Sequence, residues 1–171
     1  MLHFVDTSND LIAELRRVFA GVDDVACSDG DILAVARNAI VSPANSYGFM
    51  DGGIDAAYSA FFGPSLQIAV QEAINRRPEG YLPVGASLAV RTGHDRIPFL
   101  IVAPTMRTPE EVPSENCYRA MRAVLRLMRS EPEVGREVFC PGLASGIGNV
   151  APAEVAEQIF RAYADWKVQT G

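Results

Sequence analysis

Short apolar runs alternate with segments of helical periodicity along the whole chain, and that alternation admits few architectures. Strands show as period-two patterns or short apolar runs, helices as a 3.6-residue apolar stripe. Leu2–Val5, Val25–Cys27, Ala39–Val41, Ala86–Val90, Phe99–Val102 and Glu137–Cys140 read as strands. Between them, Leu11, Leu15, Val18 and Phe19 share one helical face that Gly21 ends, and Ile54, Tyr58, Phe61 and Phe62 repeat at helical spacing. A helix is expected from Pro64 to about Arg76. Tyr118, Met121, Leu125 and Met128 form the inward stripe of a long helix, and Pro152 opens the last one, with inner face Val155, Ile159, Tyr163 and Trp166. The expected class is α/β, a three-layer α/β/α sandwich around a mainly parallel sheet. The strands flanking Gly93 are joined too tightly for a parallel crossover, so the sheet should be mixed. At 171 residues, 49% of them apolar, the chain suits one domain over residues 1–171, without linker or repeat.

The net charge of −6 argues against a sequence-blind nucleic-acid binder that works by neutralising phosphates. Any phosphate should instead meet backbone N–H groups. No apolar run reaches the length of a membrane span, and the opening MLHFVDTSND lacks the basic and long apolar regions of a signal peptide. Cys27, Cys117 and Cys140 are odd in number and widely spaced, which suits reduced thiols in a cytoplasmic protein, with Cys27 and Cys140 as small core residues. His3 and His94 have no Cys or carboxylate at ligand spacing, so no metal and no cofactor is expected. His94 reads as an exposed turn residue, and Arg119, Arg122, Arg126 and Arg129 as a solvated helix face.

Two Gly-rich segments each join a strand to a helix start: residues 42–55, SPANSYGFMDGGID, and residues 141–152, PGLASGIGNVAP. In an open α/β sheet such loops lie beyond the carboxyl ends of the strands, where ligands bind. Glycine lets a ligand approach the main chain, and N–H groups at a helix start favour an anion. Two such loops facing one crevice suit two linked phosphates; each alone is equally a tight turn. Neither is a GxxxxGKS/T nor a GxGxxG pattern, so neither a P-loop nor the usual dinucleotide fingerprint describes them.

Taken in order, Gly30-Asp31-Ile32, Ser42-Pro43-Ala44-Asn45, Asp51-Gly52-Gly53-Ile54-Asp55 and Ala144-Ser145-Gly146-Ile147 resemble the macrodomain family over roughly residues 22–168. The resemblance implies binding of ADP-ribose and, for some members, hydrolysis of ADP-ribose from proteins, nucleic acids or O-acetyl-ADP-ribose. By the same resemblance Asp31, with Ile32 beside it, accepts the adenine amino group, although an aspartate there also caps a turn. Asn45 contacts the distal ribose, or braces its loop. Gly52, Gly53 and Ile54 form a first phosphate loop, and Ser145, Gly146, Ile147 and Gly148 a second. Asp55, ten residues after Asn45, is the water-orienting aspartate of the hydrolases, or a helix-start aspartate facing the dipole.

The chain departs from the family pattern at Ser42 and Pro43, at Asp51, at Gly148-Asn149 and at one extra residue before Pro152. The distal-ribose side is therefore the less family-like, and Tyr47 or Phe49 stands where an aromatic could serve instead. The resulting expectation is an ADP-ribosyl hydrolase with Asp55 and Asn45 as catalytic residues. A non-catalytic ADP-ribose reader and a structural protein that kept the fold are the alternatives. The expected partner is ADP-ribose or an ADP-ribosylated macromolecule, with nucleic acid only where it carries the modification, and no membrane.

Overall fold

A computed structural model describes residues 1–171. The six strands are β1 (Leu2–Asp6), β2 (Val25–Asp29), β3 (Ala39–Ser42), β4 (Leu88–Arg91), β5 (Phe99–Val102) and β6 (Val138–Cys140). They form one sheet in the order β2-β1-β6-β3-β5-β4. All neighbours run parallel except β4, which pairs antiparallel with β5, Leu88 opposite Val102 and Arg91 opposite Phe99. The last strand thus lies between β1 and β3, with Phe4 beside Cys140 and Ile40 beside Phe139.

Side-chain alternation along these strands divides the interior in two. Ala39, Val41, Phe99, Ile101, Val138 and Cys140 point to one face and pack with α1 (Asn9–Val18), α5 (Glu115–Ser130) and α7 (Pro152–Thr170). Ile40, Leu100, Val102 and Phe139 point to the other, against α2 (Ile32–Val35), α3 (Gly53–Phe62) and α4 (Ser65–Asn75). The expected three-layer α/β/α sandwich with a mixed sheet is the observed fold. No helix is long and apolar enough to cross a membrane.

The differences from the periodicity reading have local causes. Residues 83–87 turn rather than extend: Ala86 N–H donates to the Pro83 carbonyl and Gly85 takes φ 96°, so β4 begins at Leu88. The single turns α2 and α6 (Pro132–Gly135) are too short to leave a stripe in the sequence. Residues Cys117, Ala120, Met121 and Val124 centre the buried face of α5, leaving Tyr118 and Met128 half-buried at its margins. Phe61 is exposed and packs edge-on against Phe62, with its ring also near His94. His94 is half-buried rather than exposed, because Nδ1 accepts the Arg96 and Ile97 N–H groups and closes its turn. Cys27 is only half-buried, since β2 is an edge strand; Cys117 and Cys140 are fully buried, and all three thiols are free.

Candidate functional site

The carboxyl ends of β1, β3 and β6 open into one cleft of about 470 Å³. Volumes of this order suit a small-molecule ligand. The residues assigned to catalysis and binding from the sequence line it: Asp31, Ile32, Asn45, Gly52, Gly53, Ile54 and Asp55 on one side, Ser145, Gly146, Ile147 and Gly148 on the other.

The first wall follows β3. Asn45 locks the loop onto itself: its Oδ1 accepts the N–H groups of Tyr47 and Phe49 at 3.1 and 3.3 Å, and its Nδ2 donates to the Phe49 carbonyl at 2.8 Å. This is the bracing role, and it leaves the Asn45 amide largely committed to its own loop. Phe49, its N–H and carbonyl both held by the Asn45 amide, stands 51% exposed in the cleft lining. Tyr47 does not line the cleft; its hydroxyl accepts from Arg107 Nε at 3.2 Å. Beyond Met50, whose N–H is taken by Gln67 Oε1, Gly52 caps α3 without a side-chain acceptor and Gly53 adopts φ 56°. The N–H groups of the first α3 turn therefore have no capping side chain and border the cleft.

The second wall follows β6 and is tied to β1. Asp6 accepts the Gly142 N–H on Oδ2 and the Ser8 N–H on Oδ1, both at 2.9 Å. One carboxylate thus joins the start of the second loop to the turn before α1. The loop closes on itself through Val150 N–H to the Ala144 carbonyl and Asn149 N–H to the Gly146 carbonyl. Ala144 and Asn149 take positive φ values of 59° and 55°. Gly142 and Gly148 sit where a Cβ would strike Ser145 Oγ at 2.2 Å and the Ala144 carbonyl at 2.7 Å, respectively. Gly146 has nothing within 4 Å of that position. The two walls meet where Ile147 Cδ1 comes within 3.2 Å of the Cβ position of Gly52.

Asp55 lies in the first turn of α3, 6% exposed, with its Oδ1 accepting from Ser42 Oγ at 2.6 Å. Burial raises its pKa to about 6, against the downward pull of that hydrogen bond. One turn on, Tyr58 is fully buried and donates to the Val41 carbonyl at 3.0 Å; burial and the Asp55 charge push its hydroxyl pKa up. At the opposite rim Asp31 caps α2, accepting the Leu33 N–H on Oδ1 at 2.9 Å, with Oδ2 not engaged.

Asp6, Thr105, Met106 and Gly142 also line the cleft and were not singled out by sequence reasoning. For Asp6 a signal existed: an aspartate ending a strand that the alternation places in the sheet. Thr105 and Met106 follow β5 with no composition to mark them.

The Macro domain family profile matches residues 41–159. A protein of Aquifex aeolicus is 35% identical over 134 residues, covering 78% of this chain and 76% of that protein. An O-acetyl-ADP-ribose deacetylase of Salmonella gallinarum is 28% identical over 139 residues, covering 80% and 75%. Among solved structures, a variant of the Oceanobacillus iheyensis macrodomain with ADPR superposes with a TM-score of 0.68 at 22% identity, covering 80% of this chain and 74% of that one. The profile spans both Gly-rich loops, the end of β3 and all of β6, and the fold agrees: this chain belongs to the macrodomain family.

Proposed function

We propose that the cleft binds ADP-ribose and hydrolyses ADP-ribosyl linkages, with Asp55 orienting the attacking water. The observation that carries this reading is the assembly of Asp31, both Gly loops and the buried Asp55 around a single cleft. The relatives support it: one is named as an O-acetyl-ADP-ribose deacetylase, and a structural neighbour holds ADPR.

The uncapped N–H groups of Gly53 and Ile54, with those of Ser145 to Ile147, take the two phosphates, since neither Gly-rich loop carries a Lys or Arg. Asp31 Oδ2 accepts the adenine amine while Oδ1 keeps α2 capped. A carboxylate with a pKa of about 6 is mostly ionised at neutral pH yet basic enough to take a proton from water. That water's oxygen then bonds to the anomeric carbon as the bond to the acceptor group breaks, and the acceptor leaves with the proton that Asp55 took from the water; on O-acetyl-ADP-ribose the same water attacks the ester carbonyl carbon and acetate leaves. The three free thiols agree with a cytoplasmic location.

The commitment of Asn45 to its own loop favours a second reading, a non-catalytic ADP-ribose reader. The experiment is incubation with ADP-ribosylated protein, ADP-ribosylated nucleic acid and O-acetyl-ADP-ribose, scored by release of ADP-ribose or acetate. Turnover that Asp55→Ala abolishes supports the hydrolase. Tight ADP-ribose binding with no turnover on any substrate supports the reader.

A further inference from the structure

The cleft carries acids and no bases. No Lys, Arg or His is among its lining residues, and four aspartates are: Asp6, Asp31, Asp51 and Asp55. Three of them are occupied. Asp6 accepts the Ser8 and Gly142 N–H groups, Asp31 the Leu33 N–H and Asp55 the Ser42 hydroxyl. Asp51 is exposed in the lining and has no such partner. Arg107 follows Met106 but does not line the cleft; it donates to the Tyr47 hydroxyl and lies over the Tyr81 ring at 5.6 Å.

Phe49 belongs with Asp51. The two stand on either side of the buried Met50, and both line the cleft. The Asn45 amide fixes the Phe49 backbone and leaves its ring 51% exposed. Elsewhere in this protein Phe139, Phe99, Tyr81 and Tyr118 each lie under a guanidinium, those of Arg37, Arg91, Arg107 and Arg161. Phe49 is an exposed ring beside a free carboxylate, with no arginine of its own.

Resting on the ADP-ribosyl reading above, we infer that Phe49 and Asp51 form a subsite for a guanidinium, so that the acceptor cut from the ribose is an arginine side chain. A guanidinium is planar and weakly hydrated; its face stacks on an aromatic ring while its N–H edge bonds a carboxylate. Asp31 lies at the rim opposite Asp55, and Asp51 stands four residues before Asp55. The pair therefore meets the acceptor end of the ligand and not the adenine.

The bond-breaking step agrees. No His, Lys, Cys or Tyr lines the cleft to protonate a leaving group. A serine acceptor would leave as an alkoxide and need one. A guanidinium does not: as the bond from the anomeric carbon to nitrogen breaks, the electron pair stays on nitrogen and neutral guanidine departs. The water's oxygen bonds to that carbon, and guanidine takes the proton that Asp55 removed from the water. A phosphate on the same carbon would bring further negative charge against Asp51 and is disfavoured.

The test is displacement of a labelled ADP-ribose from the full chain by ADP-ribose, ADP-ribosyl-agmatine and ADP-ribose 1″-phosphate. It is run on the parent protein and on Asp55→Ala, which should leave the conjugate intact. The agmatine conjugate should displace the label roughly tenfold better than ADP-ribose, and the phosphate roughly tenfold worse. Asp51→Asn should remove most of both differences. Phe49→Leu should reduce the first and keep the second, and Phe49→Tyr should retain both. Both side chains are exposed, so melts should not move, and ADP-ribose itself should bind within about threefold in every variant. Equal displacement by the three ligands overturns the inference. So does a preference that survives both Asp51→Asn and Phe49→Leu. The parent protein should also release agmatine from the conjugate; tight binding without release overturns the bond-breaking step and keeps the subsite. Failure to bind ADP-ribose at all overturns the functional reading, and the subsite with it.

Discussion

The Ser42 hydroxyl, at the end of β3, donates a 2.6 Å hydrogen bond to Oδ1 of Asp55 in the first turn of α3. Asp55 is the only buried carboxylate in the protein, and its state is set by two opposed effects. Removal from water favours the neutral acid and the hydroxyl favours the anion; burial wins, and the pKa stands at about 6.

Stability should therefore carry a pH-dependent contribution from this group. Its folded pKa of about 6 lies above the ordinary value of 3.8, so the folded chain holds the proton more tightly. The contribution is fully present below about pH 4, is lost as pH rises through about 6, and is then constant. The loss is on the order of 2–3 kcal/mol. Asp55→Asn, which keeps an acceptor for Ser42, should melt higher than the parent at pH 8 and near it at pH 4. Melts at the two pH values check this; an equal shift at both rejects burial of charge as the cause.

Hydrolysis, if Asp55 takes the proton, should rise with pH through a limb near 6. Ser42→Ala removes the bond that favours the anion, so the limb should move to higher pH with kcat at alkaline pH largely retained. Single-turnover rates from pH 4.5 to about 8.5 would show it. A limb in the same place in both proteins assigns the ionisation to another group.

Glycines in the second loop should separate binding from folding. Gly146 has open space at its Cβ position, so Gly146→Glu should leave the melt unchanged yet abolish ADP-ribose binding by bulk and like charge. Gly142→Ala should do the reverse damage. Its Cβ would meet Ser145 Oγ, Leu11 and Asp6, forcing the loop from β1 and lowering the melting temperature. Calorimetry paired with thermal melts reads both, and full binding by Gly146→Glu places the phosphates elsewhere.

Asp31 has two tasks that substitutions can part. Asp31→Asn keeps an oxygen for the Leu33 N–H, so α2 stays capped while the charge is lost. Asp31→Ala loses both, at about 1 kcal/mol of stability for the cap. ADP-ribose affinity should fall modestly for Asn and by roughly tenfold or more for Ala. Equal affinity across all three proteins removes Asp31 from the ligand.

The fold was legible because alternation is a property of the sequence itself. Ile40 between Ala39 and Val41 already says that both faces of β3 are covered. The cleft was legible because its two walls are Gly-rich and ordered along the chain. Hidden were the features that depend on partners distant in sequence. The bond from Asp6 to Gly142 spans 136 residues, and no local pattern announces it. The role of Asn45 as a brace needs the geometry of Phe49. That Val84, Gly85 and Gln169 take arginines of α5 likewise shows only in the folded chain.

The place of β6 has a consequence for biosynthesis. β1 and β3 do not touch each other; each pairs with a strand that begins only at Val138. While the polypeptide is still emerging from the ribosome, its first hundred or so residues hold two half-sheets with open inner edges. Closure must wait for the chain near residue 150, when strand and second loop arrive together. The binding cleft and the completed sheet are thus one event, and a newly made molecule that can hold its ligand has already closed its sheet.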